Sequence, residues 1–112
     1  MHELSLAQNI LEIIRDYLPN QQRVLKAVHV QIGSLMAIVP ESLQFCYESL
    51  AQDTPYESSK MIIEILPIKV RCHTCQLVTE LKDIIFICPE CGENNLETIQ
   101  GNELIVSHLE VS

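Results

Sequence analysis

Apolar positions recur at helical spacing over residues 4–18, where Ala7, Ile10, Leu11, Ile14, Tyr17 and Leu18 share one stripe and Pro19 closes the run. This predicts a first helix beginning beside Met1, His2 and Glu3, with packing that holds those three residues near a fixed place. The period then shortens. Over residues 23–32, Val28, Val30 and Ile32 alternate with His29 and Gln31 before Gly33-Ser34, the pattern of a half-buried strand. Pro40 stands at a favoured first helical position ahead of Leu43, Cys46, Tyr47 and Leu50, so a second helix follows, with Cys46 as a small buried hydrophobe on its stripe. Met61 to Leu66 is almost continuously apolar up to Pro67 and reads as a central strand. A final strand over Glu103–Val111 puts Ile105, Ser107, Leu109 and Val111 on one face, while His29 and His108 fall opposite the main apolar sets, as surface or interface residues.

The order is thus α-β-α-β, a cysteine-containing module, and a last β. Three strands are too few to bury both faces alone, so the expected fold is α/β (α+β): two helices on a mixed three-stranded sheet with an inserted zinc-ribbon-like module. Residues 1–68 plus 101–112 form the expected main domain and residues 69–100 the insert. Within the insert, Val78–Leu81 and Ile84–Ile87 flank Lys82-Asp83 as a short hairpin joining two cysteine turns.

Those turns are Cys72-His73-Thr74-Cys75 and Cys88-Pro89-Glu90-Cys91, a C-x2-C-x12-C-x2-C pattern. Each pair grips an ion from a tight turn, and two pairs complete the four-sulfur tetrahedron that structural Zn(II) prefers. Rubredoxin-like iron is the chemical rival, against which a twelve-residue gap and the missing aromatic core both count. Four thiolates leave no open position, so the expected role is structural. Gly92 follows the second turn where a left-handed backbone is useful, and Gln76 holds the matching place in the first, the looser turn by expectation. His73, between two of the cysteines, is an occasional substitute ligand or a solvated loop residue.

At 112 residues, 47% hydrophobic and 20% charged, the chain has the material for one core and no sign of disorder. No apolar run approaches the ~18 residues that span a bilayer, and Glu3 and Glu12 sit where a signal peptide needs a basic start and an apolar run. A cytoplasmic protein with reduced thiols and no membrane partner is the expectation. Seven basic residues against fifteen acidic ones give a net charge of −8, which repels phosphate backbones and leaves a nucleic-acid partner without support. Such a surface suits metal cations or a basic protein. No Ser/His/Asp order, phosphate loop or paired acidic motif argues for an enzyme.

The start of the chain offers a second chelate. In Met1-His2-Glu3, the α-amine, the His2 amide nitrogen and the His2 imidazole can close adjoining rings on a square-planar ion, a field that Ni(II) and Cu(II) favour and zinc does not.

With these residues in view, the chain resembles the HypA/HybF family of nickel metallochaperones in nickel-iron hydrogenase maturation. The likeness rests on Met-His-Glu-Leu-Ser-Leu at 1–6, Gly33 through Val39-Pro40-Glu41-Ser42-Leu43 with Phe45, both cysteine turns with Gly92, and Gly101-Asn102-Glu103-Leu104. It implies nickel held by Met1, His2 and Glu3 as transported cargo, and zinc held by Cys72, Cys75, Cys88 and Cys91. It also implies delivery with a partner GTPase called HypB to the hydrogenase large-subunit precursor, by a monomer or weak homodimer, with urease as a further client to consider. The chain departs from the family at Asp53-Thr54, where Gly-Thr is usual, and at Glu57-Ser58-Ser59, where Glu-Gly-Ala is usual. The alternative is a zinc-ribbon adaptor that binds nucleic acid or a transcription protein.

Overall fold

The computed structural model describes residues 3–18, 24–82 and 85–112. Its elements are α1 (Glu3–Tyr17), β1 (Leu25–Gly33), a 3-10 turn (Ser34–Met36), α2 (Pro40–Ala51), β2 (Lys60–Leu66), β3 (Ile68–Cys72), β4 (Val78–Leu81), β5 (Leu96–Gln100) and β6 (Leu104–Val111). They make two three-stranded sheets, β2-β1-β6 and β4-β3-β5. The second sheet is inserted between β2 and β6, so the architecture is the expected α+β fold with a cysteine module.

α1 buries Leu6, Ala7, Ile10, Leu11 and Ile14. Tyr17 is left 75% exposed, and Leu6 takes a core position instead. Pro19 lies outside the described residues. α2 starts with Pro40 at its first turn and buries Leu43, Tyr47 and Ala51, while Cys46 is only half-buried against the same core.

β1, not β2, is the central strand. It pairs in parallel with β2 and antiparallel with β6, and Val28, Val30 and Ile32 are at most 1% exposed. β2 is an edge strand, with Ile62 and Ile65 each 44% exposed. An apolar run cannot by itself separate a strand flanked on both sides from one that lies at an edge.

The face expected for β6 is also corrected. Val28 pairs with Leu109 and His29 with His108, but Val30 pairs with Val106, leaving Ser107 as an extra residue. This bulge switches the two-residue alternation, so Leu104 and Val106 face the core together with Leu109 and Val111, while Ile105 turns outward.

Two departures from the family pattern have local structural answers. Asp53, where Gly is usual, adopts φ 61, a left-handed conformation that Asp tolerates better than most side chains. Ser59, where Ala is usual, is buried and donates to the Tyr56 carbonyl at 2.6 Å. Its one hydroxyl hydrogen is thereby used, so the Tyr47 hydroxyl, 2.5 Å away, donates to Ser59. Burial, the largest influence, pushes the Tyr47 phenol up.

The two sheets meet at a close backbone crossing. Leu35 N–H donates to Gly101 O at 2.9 Å and Gly33 N–H donates to Glu103 O at 2.8 Å. A Cβ on Gly33 would stand 2.0 Å from the Gly101 carbonyl carbon and oxygen and 2.6 Å from Asn102 N. Only glycine allows this approach.

Candidate metal centre

The cysteine turns are built alike. Cys72 ends β3; its N–H donates to Leu77 O at 2.9 Å, and Gln76 N–H donates back to Cys72 O at 2.8 Å. In the second turn Cys88 N–H donates to Glu93 O at 2.8 Å and Gly92 N–H to Cys88 O at 2.9 Å. Both turns close through a left-handed residue, Gln76 at φ 66 and Gly92 at φ 74. Glycine adopts this at no steric cost, whereas a glutamine there costs about 1 kcal/mol. Gln76→Gly is therefore expected to raise the thermal midpoint of the metal-loaded protein slightly, the lost Gln76 side-chain bond to His73 O (3.1 Å) offsetting part of the gain.

The turns bring Cys72 Sγ to 3.6 Å from Cys91 Sγ and Cys75 Sγ to 3.6 Å from Cys88 Sγ, with all four sulfurs within 4.8 Å of one another. A tetrahedral ion with metal–sulfur bonds of about 2.3 Å needs sulfurs about 3.8 Å apart. The quartet thus fits a single tetrahedral ion. Cys72 and Cys88 are buried against the module and Cys75 and Cys91 face solvent, so the centre lies at the module's surface with its inner half fixed by β3 and the second turn.

The thiols also show why a cation belongs there. The Cys75 amide, foremost, holds Cys72 down at about 6, assisted by the Thr74 amide and neighbouring sulfurs. The Cys91 amide likewise lowers Cys88. At Cys91 the Glu93 amide pulls downward, but desolvation and the sulfurs of Cys72, Cys88 and Cys75 outweigh it and push the thiol up to about 12. Cys75 is raised in the same way against the Leu77 amide. The first thiolates form readily and the last only against its neighbours, a penalty that a dication removes.

His73 stands outside the quartet. Its Nε2 is 3.7 Å from Glu97 Oε1, which also lies 3.6 Å from Arg71 Nη1. The expected hairpin is replaced as well: Val78–Leu81 pairs with β3, and β5 takes β3's other edge. Ile85–Ile87 forms no strand, and Asp83 and Ile84 lie outside the described residues.

Of the proposed nickel ligands, Met1 and His2 lie outside the described residues. Glu3 opens α1, half-buried, and its carboxylate accepts from Val39 N–H at 3.5 Å, at the N-cap of α2. The start of α1 is thereby tied to the start of α2. His29 and His108 lie on the open sheet face as expected, and the structure stacks them against each other, a pairing set by strand register that sequence spacing does not reveal.

No helix among the described residues is long and apolar enough to cross a membrane. The family described as "Hydrogenase/urease nickel incorporation, metallochaperone, hypA" matches residues 1–111. Hydrogenase maturation factor HypA of Desulfatibacillum aliphaticivorans is 41% identical, covering 100% of this chain and 88% of its own. That of Geobacter metallireducens is 35% identical over 99% of both. The solution structure of the Ni metallochaperone HypA from Helicobacter pylori superposes with a TM-score of 0.71 at 21% identity, covering 98% of this chain and 97% of that one. A second HypA solution structure gives 0.74, again at 21% identity, over 100% and 97%. The fold is shared with these structures, and the chain belongs to the HypA family of hydrogenase/urease nickel-incorporation metallochaperones.

Proposed function

We propose that this chain is a cytoplasmic, non-catalytic carrier that delivers Ni(II) during maturation of nickel-iron hydrogenase, with urease as a second client. The observation that carries this reading is the match to the nickel-incorporation family over residues 1–111. Met1, His2 and Glu3 bind the nickel, and Cys72, Cys75, Cys88 and Cys91 hold a structural Zn(II). The closed sulfur quartet supports that division of labour: with four sulfurs around one ion there is no open position for cargo to enter and leave. Residues 1–68 plus 101–112 act as the nickel-binding domain and residues 69–100 as the zinc domain. The docking partners are a HypB-type GTPase and the hydrogenase large-subunit precursor, met by a monomer or weak homodimer.

The chelate needs a free α-amine at Met1 and the imidazole at His2. Adding one residue before Met1, or His2→Ala, is expected to remove the tight, stoichiometric nickel equivalent in calorimetric titration while elemental analysis still finds one zinc. Unaltered tight nickel uptake in both variants would sink the terminal site. The adaptor alternative is tested separately by gel shift at low salt, where tight, salt-sensitive nucleic-acid binding would favour it.

A further inference from the structure

The helices cover one face of the β2-β1-β6 sheet, and on the other face His29 lies against both His108 and Glu110. His29 and His108 are direct cross-strand partners, with ring centroids 3.8 Å apart and planes inclined by 19°. Glu110 Oε2 lies 3.1 Å from His29 Nε2. We propose that His29, His108 and Glu110 form a second site for a borderline divalent cation, Ni(II) or Cu(II), weaker than the terminal chelate and separate from the sulfur quartet.

The bulge at Ser107 prepares this site. Ser107 Oγ lies 3.2 Å from the His29 carbonyl oxygen and 3.2 Å from His108 Nδ1. A carbonyl only accepts, so the single hydroxyl hydrogen goes to His29 O and the hydroxyl oxygen must accept from His108 Nδ1–H. In the neutral ring this leaves Nε2 of His108 with its lone pair free, the tautomer a ligand needs, with a hydroxyl orienting it from behind. On His29 the Nε2–H donates to Glu110, because a carboxylate only accepts. An arriving ion replaces that proton, which moves to Nδ1, and the Glu110 carboxylate is already placed beside the vacated nitrogen.

Two imidazole nitrogens bound at about 2.0–2.1 Å each share an ion when no more than about 4 Å apart, a reach open to histidines on directly paired positions of neighbouring strands. Stacked planes point their lone pairs side by side, so sharing requires one ring to turn out of the stack. His108 is exposed and turns about its Nδ1 contact with Ser107, while His29 is more enclosed, its side chain 24% exposed. Two nitrogens and one carboxylate oxygen form a donor set suited to Ni(II) and Cu(II). Glu64, hydrogen-bonded to Gln31 on the same face at 3.0 Å, adds negative charge, and Ile62 borders the site opposite His29 on β2.

The test uses zinc-loaded full-length protein carrying His2→Ala, titrated with Ni(II) by calorimetry and with Cu(II) under electron paramagnetic resonance. One residual equivalent is expected, with two-nitrogen hyperfine structure on copper that falls to one nitrogen in His108→Ala. Ser107→Ala should weaken binding about tenfold by releasing the ring, and zinc content should stay at one throughout. Absence of any residual equivalent, or residual binding unchanged by His29→Ala and His108→Ala, overturns the proposal. If either histidine variant fails to fold, Cu(II) broadening of the imidazole proton resonances in the His2→Ala protein decides. Selective broadening of His29 and His108 supports the site, and broadening confined to His73 overturns it. Failure of the terminal chelate would appear instead as a tight equivalent surviving His2→Ala, so the two outcomes are distinct.

Discussion

Cys88→Ala strips the bound ion and unfolds the β4-β3-β5 module: elemental analysis is expected to fall from one zinc toward none, and amide protection to be lost across residues 68–100. Metal binding is worth on the order of 10 kcal/mol to a small zinc unit, more than a sheet of three short strands can replace. The buried hydrophobic residues of the module are few, chiefly Ile68 and Val70 beside Cys72 and Cys88 themselves, so no independent core remains once the ion is gone. Cys46→Ser serves as the control, since Cys46 packs against the helical core and should leave zinc content unchanged. Acid acts in the same direction as the mutation. Cys72 is lowered from 9.0 to about 6, so its thiolate contributes fully above the ordinary thiol range and that contribution disappears as pH falls through about 6. Protons then compete with the metal for sulfur, and zinc release on acidification, followed with a chromogenic chelator, should grow steeper below that point. Retention of stoichiometric zinc by Cys88→Ala would contradict the assignment of the quartet.

Gly33→Ala is expected to be the most damaging single methyl group outside the metal centre. Its Cβ would fall 2.0 Å from backbone atoms of Gly101, which cannot rotate away as the end of a side chain can. The backbone at Gly33 is ordinary, φ −67 and ψ 139, so the cost comes wholly from contact and not from conformation. Separating the two chains would break the Leu35–Gly101 and Gly33–Glu103 hydrogen bonds. A loss of about 3 kcal/mol or more follows, a fall of roughly 12 °C or more in thermal midpoint for a domain of this size. An unchanged melting curve would show that the 101–103 segment slides without penalty.

Much of the fold is legible in the residues because their periods differ. Ala7, Ile10, Leu11 and Ile14 can share a face only on a helix, and Val28, Val30 and Ile32 only on a strand. The cysteine spacing foretells the quartet for an equally physical reason, since each x2 gap closes a turn around one ion. Features that depend on two distant segments are the ones missed. β2 has an apolar composition suited to a centre but lies at an edge, because β6 returns from beyond the inserted module to take β1's other side. Ser107 looks like one more alternating residue, yet pairing with β1 makes it a bulge. Val78–Leu81 is a strand as its composition suggests, but its partner is β3 and not the residues that follow it. At the candidate site, the sulfur ligands can be read from four residues, whereas the contact between His29 and His108 exists only through register.

Insertion of the module between β2 and β6 also shapes the route by which the sheet assembles. β6 must find β1 across residues 67–103, a long closure for a chain that has no metal. Once the ion clamps the two turns, and Lys69 is paired with Gln100, the span left to close shrinks to about half a dozen residues. The saving in chain entropy is ~1.5 kcal/mol. The ion therefore acts on the last strand it never touches. Zinc present during refolding should hasten closure of a sheet that contains none of its ligands, making metal supply a determinant of how fast the β2-β1-β6 sheet becomes whole.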